Sequence, residues 1–510
     1  MPTKRLAEGS NRSAITVCVM LATLMQALDT TIANVALPYM QGSVSATQEQ
    51  IAWVLTSYIV AAAIMTPSTG FLAARFGLKR LFLTSVVGFT IASMLCGMAQ
   101  SLVQIVLFRI LQGAFGAALV PLSQSVLLTI NPPERQGSAM AMRGVAVMAG
   151  PILGPVLGGW LTENYSWRYV FYINVPIGVL CFFGMRAFLT DTARNANEKL
   201  DWFGFGTLSL AVGAAQLLLD RGEQLDWFGS GEIIIEAIVA ASALYLFLVH
   251  TFTAKKPFVT PTLFRDRNFA AGTLFAFVVG LTYYASLALQ PPFLQNLMNY
   301  PAVTAGLVLG PRGIGTMAAM LVVGRLIGRV DTRLLLGLGL SISAWAFYAM
   351  TGWTPDVSQW TIIWVGVLQG IGLGFLFVPL SAATLTTLPL EQRTEGAGLY
   401  SLSRNVGSSV GISVVNDLLT RNTQINHAEI VEHVTAVNRA FESPMVTQFW
   451  NPLTAAGRAA LDAMIMQQAQ IIAYIDDYKL LMIAILAVFP LLIVFKKTSG
   501  GPADHTLAVE

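Results

Sequence analysis

Val120-Pro121-Leu122-Ser123 recurs 258 positions later as Val378-Pro379-Leu380-Ser381, and this repeat is the strongest indication of the architecture. The residues that follow repeat as well, since Gln136-Gly137 corresponds to Glu395-Gly396. Matches that include proline, glutamine and glycine are not what chance similarity between apolar segments produces. The chain is therefore predicted to contain two copies of one structural unit.

The repeat extends towards the start of both copies. Arg109-Ile-Leu-Gln-Gly113 is echoed by Leu368-Gln369-Gly370, and Gly70-Phe-Leu-Ala-Ala-Arg75 by Gly324-Arg-Leu-Ile-Gly-Arg329. Two copies that cross a membrane in the same order can form a cleft between two halves that rock around a central site. The duplication therefore favours a transporter.

The composition is that of a membrane protein. Hydrophobic residues make up 55% of the chain and charged residues 11%, and the mean hydropathy is +0.64. A soluble protein would carry about a quarter charged residues. Cys18, Cys96 and Cys181 all fall within apolar segments, so we expect free thiols and no disulfide framework.

Apolar segments of about 20 residues are long enough to cross the hydrocarbon core of a bilayer as helices. The sequence predicts fourteen of them, which makes the fold class an all-α polytopic membrane protein. The predicted spans are 14–36, 51–72, 81–99, 102–125, 138–162, 168–189, 203–219, 232–252, 269–290, 302–323, 334–351, 360–380, 396–416 and 479–495.

Lysine and arginine are distributed unevenly between the predicted connections. The stretches 37–50, 290–301 and 352–359 contain none, whereas the alternate connections and both termini are basic. The positive-inside rule then places both termini in the cytoplasm. The first span is too long for a signal peptide, so we expect a multi-pass protein of the inner membrane that retains it.

The spacing of the copies locates an insertion. Six spans with their loops need about 185 residues, which is shorter than the repeat interval and leaves room for two extra helices. We predict an N-terminal six-helix bundle over 1–190, an inserted helix pair over 191–255 and a C-terminal six-helix bundle over 256–510. The last unit includes a polar extracytoplasmic loop, 417–478, whose second part is predicted as an amphipathic helix on the membrane surface.

Polar residues recur along the first span. Gln26, Thr30 and Asn34 share one helix face, with Asp29 at its edge, and such a face is expected to line a cavity. A carboxylate inside a span is costly and marks a functional site by default. Asp29 is therefore a candidate for proton coupling, and a permanently ionised structural carboxylate is the alternative.

Arginines inside spans are the second set of candidates. Arg109 precedes Gln112 by three residues in the fourth span, and a guanidinium that cannot lose its proton can hold a carboxylate ionised. A structural salt bridge is the alternative for Arg109. For Arg143, Arg312 and Arg404, anionic substrate binding and paired structural roles are both open. Gln112, Arg312 and Arg404 are counted as cavity and substrate candidates.

Three motifs identify a family. They are Leu28-Asp-Thr-Thr-Ile-Ala-Asn-Val-Ala-Leu-Pro38, Gly150-Pro-Ile-Leu-Gly-Pro-Val-Leu-Gly-Gly159 and Trp167-Arg-Tyr-Val-Phe-Tyr-Ile-Asn174-Val-Pro176-Ile-Gly178. Because it carries these motifs in this order, the chain resembles the major facilitator superfamily and, within it, the EmrB-like fourteen-spanner drug:proton antiporters. The resemblance covers essentially the whole chain and implies the major facilitator fold, with two six-helix bundles and two inserted central helices.

The resemblance also implies roles for motif residues. It gives Arg109 a part in proton transfer, and it assigns a conformational motif to Gly70, Arg75 and Gly77. That loop commonly carries an Asp where this chain has Ala74, which puts a lock built on an Asp–helix contact in doubt. The fifth-helix motif is taken to seal the cleft against proton leak, or simply to pack and bend the helix; its members are Gly150, Pro151, Gly154, Pro155, Gly158 and Gly159.

The expected function is proton-coupled export of hydrophobic or amphipathic toxic compounds, driven by the proton gradient without a cofactor. A proton-coupled importer of an organic anion or metabolite, and a non-transporting sensor or scaffold, are the alternatives. No nucleotide-binding loop or metal motif is found, and an enzyme or a nucleic-acid partner is not expected. The resemblance suggests that 417–478 docks a periplasmic membrane-fusion adaptor leading to an outer-membrane channel.

Overall fold

The computed structural model describes residues 12–190, 199–434, 441 and 449–495. This part of the chain is helical, and its one β contact is an isolated bridge between Ile327 and Val330. The helices of the first half are α1 (Arg12–Ser43), α2 (Gln48–Met65), α3 (Thr69–Phe76), α4 (Leu78–Met98), α5 (Leu102–Gly116), α6 (Leu119–Ile130), α7 (Pro133–Asn164), α8 (Tyr169–Tyr172) and α9 (Asn174–Phe188).

Two further helices, α10 (Trp202–Arg221) and α11 (Gly231–Thr253), pair with each other after the first half. The second half begins at α12, which a short π-helical turn extends at its end. Its helices are α12 (Arg267–Pro292), α13 (Ala302–Leu326), α14 (Thr332–Met350), α15 (Gln359–Thr386), α16 (Arg393–His433), α17 (Ala455–Leu486) and α18 (Leu491–Val494).

The fourteen predicted spans all coincide with helices. Thirteen segments within the described residues are long and apolar enough to cross a bilayer. The remaining predicted span, 396–416, is the first part of α16, and its mean hydropathy is lower because it contains Arg404, Asn405 and several serines. Short breaks divide spans two, four and six, as at the 3₁₀ turn Thr66–Ser68 between α2 and α3.

Several helices begin where the sequence supplies a capping side chain. Thr47 and Gln50 form a reciprocal capping box at the start of α2. Asp266 caps α12 by accepting a hydrogen bond from the Phe269 amide at 2.8 Å. Gly77 ends α3 with a φ of +87°, a value that glycine adopts without steric cost.

The helices of each half pack mainly with one another, as six-helix bundles do. In the first half α1 packs on α7 and α2 on α5, and in the second half α13 packs on α15 and α12 on α16. The inserted helix α10 contacts α2 of one half and α16 of the other. The predicted fold class, two six-helix bundles and an inserted pair, is confirmed.

The segment 417–478 differs from its prediction as a polar loop. Helix α16 continues without a break to His433, and the amphipathic stretch after 453 is not a separate surface helix but the beginning of α17. The two extensions contact each other, since His427 Nε2 lies 2.9 Å from Asp462 Oδ1. These extensions contain too many polar residues to be predicted as parts of membrane spans, although the backbone hydrogen bonds of α16 and α17 continue through them.

We call the end of the molecule at which α1 begins the proximal end and the opposite end the distal end. The halves are in contact at the proximal end. Ser125 and Thr394 hydroxyl oxygens are 2.7 Å apart, and Arg393 donates to the Leu128 carbonyl at 3.4 Å. The molecule is therefore closed at the proximal end.

The repeated glycines take part in this closure in a symmetric way. A Cβ at Gly70 would lie 2.7 Å from Glu395 Cα in the other half, and a Cβ at Gly324 would lie 2.5 Å from Ala141 Cβ. Real Cβ atoms do not approach so closely, so each half needs a glycine at its contact with the start of α16 or α7. The duplication in the sequence thus reappears as a two-sided contact.

Candidate functional site

Asp29 lies at the middle of α1 and is completely buried. Its Oδ2 accepts a hydrogen bond from Arg109 Nη1 at 2.7 Å, and the two form an ion pair. Its Oδ1 accepts from Gln112 Nε2 at 2.7 Å and from Asn174 Nδ2 at 3.0 Å. We call these four residues the Asp29 cluster. Both oxygens of this buried carboxylate have hydrogen-bond partners, which is what a buried charge needs.

Arg109 is held as firmly as its partner. Its Nε donates to the Val54 carbonyl at 2.9 Å, and its Nη1 also donates to Gln112 Oε1 at 2.9 Å. The guanidinium carbon lies 4.2 Å from the centre of the Tyr58 ring, within the range of a cation–π contact. Helices α1, α2, α5 and α9 therefore converge on a single buried charge pair.

The fifth-helix glycines bring α7 against α1 next to this cluster. A Cβ at Gly150 would lie 2.5 Å from the Ala27 carbonyl carbon, and one at Gly154 would lie 2.2 Å from Thr31 Oγ1. Gly158 faces Ile32 in the same way, whereas Gly159 has no atom within 4 Å of its Cβ position. Helix α7 is continuous through Pro151 and Pro155. The motif serves close packing here, and a role in sealing the cleft stays a prediction.

The polar face of α1 divides into a buried and an accessible part. Gln26 donates weakly to the Tyr58 hydroxyl at 3.4 Å. Thr30 and Asn34 line a cavity of about 250 Å³ with Arg109 at its floor and Asp220 of α10 on its wall. The cavity lies towards the distal ends of α1 and α2. Thr30 and Asn34 are thus the residues of this face that border the cavity, and a role in substrate binding stays a prediction.

Gln112 and Asp29 have counterparts in the second half at the same interval of 257 residues, namely Gln369 and Ser286. Gln369 Nε2 donates to Ser286 Oγ at 2.8 Å, as Gln112 donates to Asp29. The position that corresponds to Arg109 is Gly366. The duplication thus preserves the amide and replaces both charges, so the paired charges belong to one half only.

Arg312 lies in the second half, apart from the Asp29 cluster. Its Nη1 donates to Gln290 Oε1 at 2.8 Å, and its guanidinium carbon is 4.7 Å from the centre of the Tyr283 ring. Arg404 is also buried, beside Phe377 of α15. The structure therefore separates the predicted arginines into three environments, and only Arg109 has a carboxylate partner among the described residues.

The conformational motif lies at the proximal end. Gly70 is in the contact between the halves, and Gly77 forms the turn between α3 and α4. Arg75 is exposed, with its guanidinium carbon 5.9 Å from the centre of the Phe76 ring. Ala74, which stands where the family carries Asp, is exposed as well.

Two buried polar residues have no role in the predictions from the sequence. Asn174 stands in one of the three family motifs, yet nothing in that motif indicates that its amide binds the carboxylate of Asp29 in α1. Asp477 was assigned to a loop, but it lies within α17, is 1% exposed, and neither of its oxygens has a hydrogen-bond partner in the described part of the chain. The signal for Asp477 was the helical periodicity after 453, which continues through it.

Comparison with known proteins gives relatives across most of the chain. The chain is 36% identical over 439 residues to the multidrug export protein EmrB of Haemophilus influenzae, covering 86% of each protein. It is 38% identical over 429 residues to the fatty acid resistance protein FarB of Neisseria gonorrhoeae, covering 84% of this chain and 85% of FarB. It is also 36% identical over 441 residues to EmrB of Escherichia coli.

Solved structures show the same fold at low identity. The human organic anion transporter MFSD10 (TETRAN) aligns with a TM-score of 0.61 and 13% identity, covering 95% of this chain and all of that one. The proton:xylose symporter XylE aligns with a TM-score of 0.59 and 13% identity, covering 92% and 96%. The family model of the Major Facilitator Superfamily matches residues 19–412. With its two helical bundles, its internal repeat and these relatives, the chain belongs to the major facilitator superfamily.

Proposed function

We propose that the protein is a proton-coupled antiporter that exports hydrophobic or amphipathic toxic compounds by alternating access. The observation that carries the proposal is the buried pair of Asp29 and Arg109, of which Arg109 lines the cavity. Relatives named for multidrug export and for fatty acid resistance support it. The pair is buried away from the lipid and adjoins a cavity. A proton can therefore reach this pair, and leave it, through the cavity.

Proton binding at Asp29 changes the balance of the cluster. A neutral carboxyl loses its ionic attraction to Arg109, and one oxygen becomes a donor that Gln112 and Asn174 amide groups cannot satisfy as they now stand. The cluster connects α1, α5 and α9, and Arg109 also donates to the Val54 carbonyl of α2. Protonation of Asp29 therefore affects the packing of four helices of the first half. One proton moving inward through about 150 mV releases about 3.5 kcal/mol, which is enough for a few-hundredfold gradient of a neutral compound.

The positive-inside distribution supports an orientation in which both termini are cytoplasmic and the protein lies in the inner membrane. The proximal end is then the cytoplasmic end. Since the halves are in contact there, the structure corresponds to the conformation closed towards the cytoplasm. In that conformation an exporter releases its substrate and takes up protons from outside.

Efflux from cells tests the proposal. Cells without their own pumps would express the wild type, Asp29→Asn, or Asp356→Asn, which changes an exposed carboxylate in a distal loop. Energy-dependent efflux of a cationic dye and of a lipophilic acid would be followed with and without a protonophore. We expect protonophore-sensitive efflux in the wild type and in Asp356→Asn, and its loss in Asp29→Asn.

Each other outcome points to a different function. Efflux that persists in Asp29→Asn would place the proton site elsewhere. Accumulation of either compound above the level of empty cells would indicate an importer, and the absence of any flux from correctly inserted wild-type protein would indicate a sensor or scaffold.

We further propose that the extended ends of α16 and α17 dock a periplasmic adaptor that leads to an outer-membrane channel. The two helices continue distally beyond the spans and pack on each other, with Asn426 Nδ2 3.5 Å from the Ala469 carbonyl. This creates a helical projection on the side away from the proposed cytoplasmic end. Deleting 425–470 should abolish adaptor co-purification, and unchanged co-purification would refute the docking role.

A further inference from the structure

Two buried arginines face each other across the interface of the two halves. Arg143 of α7 is 1% exposed and Arg404 of α16 is 8% exposed. The guanidinium carbons lie 6.0 Å and 5.5 Å from the centre of one ring, that of Phe377. Each half of the molecule thus supplies one charge, and both charges lie close to the same aromatic ring.

Neither charge has a counter-ion in the part of the chain that the structure describes. Among the described residues no carboxylate lies within ion-pair distance of Arg143 or Arg404, and Arg143 Nε and Nη1 and Arg404 Nε have no hydrogen-bond partner. The side-chain hydrogen bond that Arg404 makes within the described chain is long, 3.5 Å to Asn405 Oδ1. Two like charges held together in an apolar setting are costly, and a guanidinium cannot relieve the cost by losing its proton.

The site lies inside the predicted spans. Arg143 is five residues from the start of the predicted span 138–162 and Arg404 is eight residues from the start of 396–416, or about 8 Å and 12 Å from the proximal surface of the hydrocarbon core at the rise of an α-helix. Phe377 supplies an apolar wall beside both charges.

We propose that Arg143 and Arg404 form a two-sided binding site for the carboxylate of an amphipathic organic anion. A carboxylate has two oxygens that match guanidinium N–H groups, and it would neutralise the repulsion between the arginines when the halves come together. The anion enters while the proximal end is open, and both halves hold it on closure. The inference rests on the proposed export function and specifies one substrate class for it.

Binding to the purified protein in nanodiscs of zwitterionic lipid tests the site. The probes are dodecanoate and, with a chain of the same length but opposite charge, dodecyltrimethylammonium. The variants are Arg143→Gln and Arg404→Gln, and Arg186→Gln at an exposed proximal position is the control. We expect dodecanoate to bind about 10- to 100-fold more weakly to each site variant. Binding of dodecyltrimethylammonium, and all binding to the control, should change less than about twofold.

Lysine variants, which preserve the charge, distinguish loss of the positive charge from loss of the folded structure. Arg143→Lys and Arg404→Lys should retain dodecanoate binding within about tenfold of the wild type, because they keep the positive charge. Equal binding of dodecanoate to wild type and both Gln variants would overturn the proposal. Equal weakening of both probes would overturn it too, since it would reflect a general loss of structure.

Transport separates this inference from the proposed function. We expect Arg404→Gln cells to lose efflux of the lipophilic acid and to keep protonophore-sensitive efflux of the cationic dye. If Arg404→Gln cells export both the dye and the acid at the wild-type rate, the proposed anion site is refuted and the export function stands. If neither compound is exported by the wild type, the export function itself is wrong.

Discussion

At the scale of single residues, Asp29 shows how a charge is accommodated inside a membrane helix. Three donors from two neighbouring helices, Arg109, Gln112 and Asn174, saturate its two oxygens. Burying a charge pair costs solvation that the attraction between its members offsets only when the remaining groups are also paired. The amides are therefore as necessary to the site as the arginine.

The pair predicts a non-additive response to substitution. Arg109→Gln leaves a buried carboxylate without its counter-charge and should destabilise the protein by about 3–5 kcal/mol. Adding Asp29→Asn removes that carboxylate, so the double variant should be more stable than Arg109→Gln alone. Thermal unfolding in detergent would measure this, and purely additive effects would contradict a coupled pair.

Two aspartates in repeated motifs at the ends of the inserted helices differ in their surroundings. Asp201 and Asp226 occupy the same position in two copies of Leu-Asp-Trp-Phe-Gly. Asp201 caps α10 and accepts hydrogen bonds from Gly204, His250 and Phe258, whereas Asp226 is exposed and caps nothing by its side chain. Burial opposes ionisation of Asp201, but the hydrogen bonds outweigh it and lower the pKa of this carboxyl.

A lowered pKa in the folded state means that the carboxylate stabilises the protein above its ordinary pKa of about 4 and that this contribution is lost as the pH falls through the lowered value. Asp201→Asn should therefore cost about 1 kcal/mol at neutral pH, and Asp226→Asn much less. The difference should shrink below pH 4 or so. A difference that does not depend on pH would refute the ionic part of this cap.

At the scale of elements, the packing of α7 on α1 sets where the Asp29 cluster lies. Gly150→Val would place side-chain atoms against the Ala27 backbone, 2.5 Å from the Cβ position, whereas Gly159→Val meets open space. We expect Gly150→Val to abolish efflux and lower the unfolding temperature and Gly159→Val to leave both nearly unchanged. Efflux and thermal unfolding of the two variants would test this.

The elements also show what could be predicted from the sequence. Each span was predictable because an apolar run of membrane length is a strong signal. The continuation of α16 to His433 was not, and the amphipathic helix predicted after 453 could not be identified as the beginning of α17, since helices outside the bilayer need no continuous apolar surface. The partners of Asp29 were predictable only as residue types, because spacing along the chain does not say which face of α5 or α9 meets α1.

At the scale of the whole molecule, the contact between the halves is predicted to open and close during transport. In a variant with no native cysteines, Ser125→Cys and Thr394→Cys should form a disulfide, since the two hydroxyl oxygens are 2.7 Å apart. The cross-link should stop efflux, and a reductant should restore it. Each single cysteine variant serves as the control, and undiminished efflux by the cross-linked protein would contradict alternating access at this end.

The inserted helix α10 has a consequence for how molecules dissolved in the bilayer reach the protein. It packs on α2 through Gly213, which faces Val60 and Ile64, and it meets α16 where Ser409 donates to Gln216 at 2.9 Å. It therefore covers the seam between the halves on one flank, while the seam between α7 and α13 has no such cover in the described chain. A compound that diffuses within a leaflet can therefore approach the seam between the halves from one flank, the one at α7 and α13. The two flanks of the transporter are not equivalent.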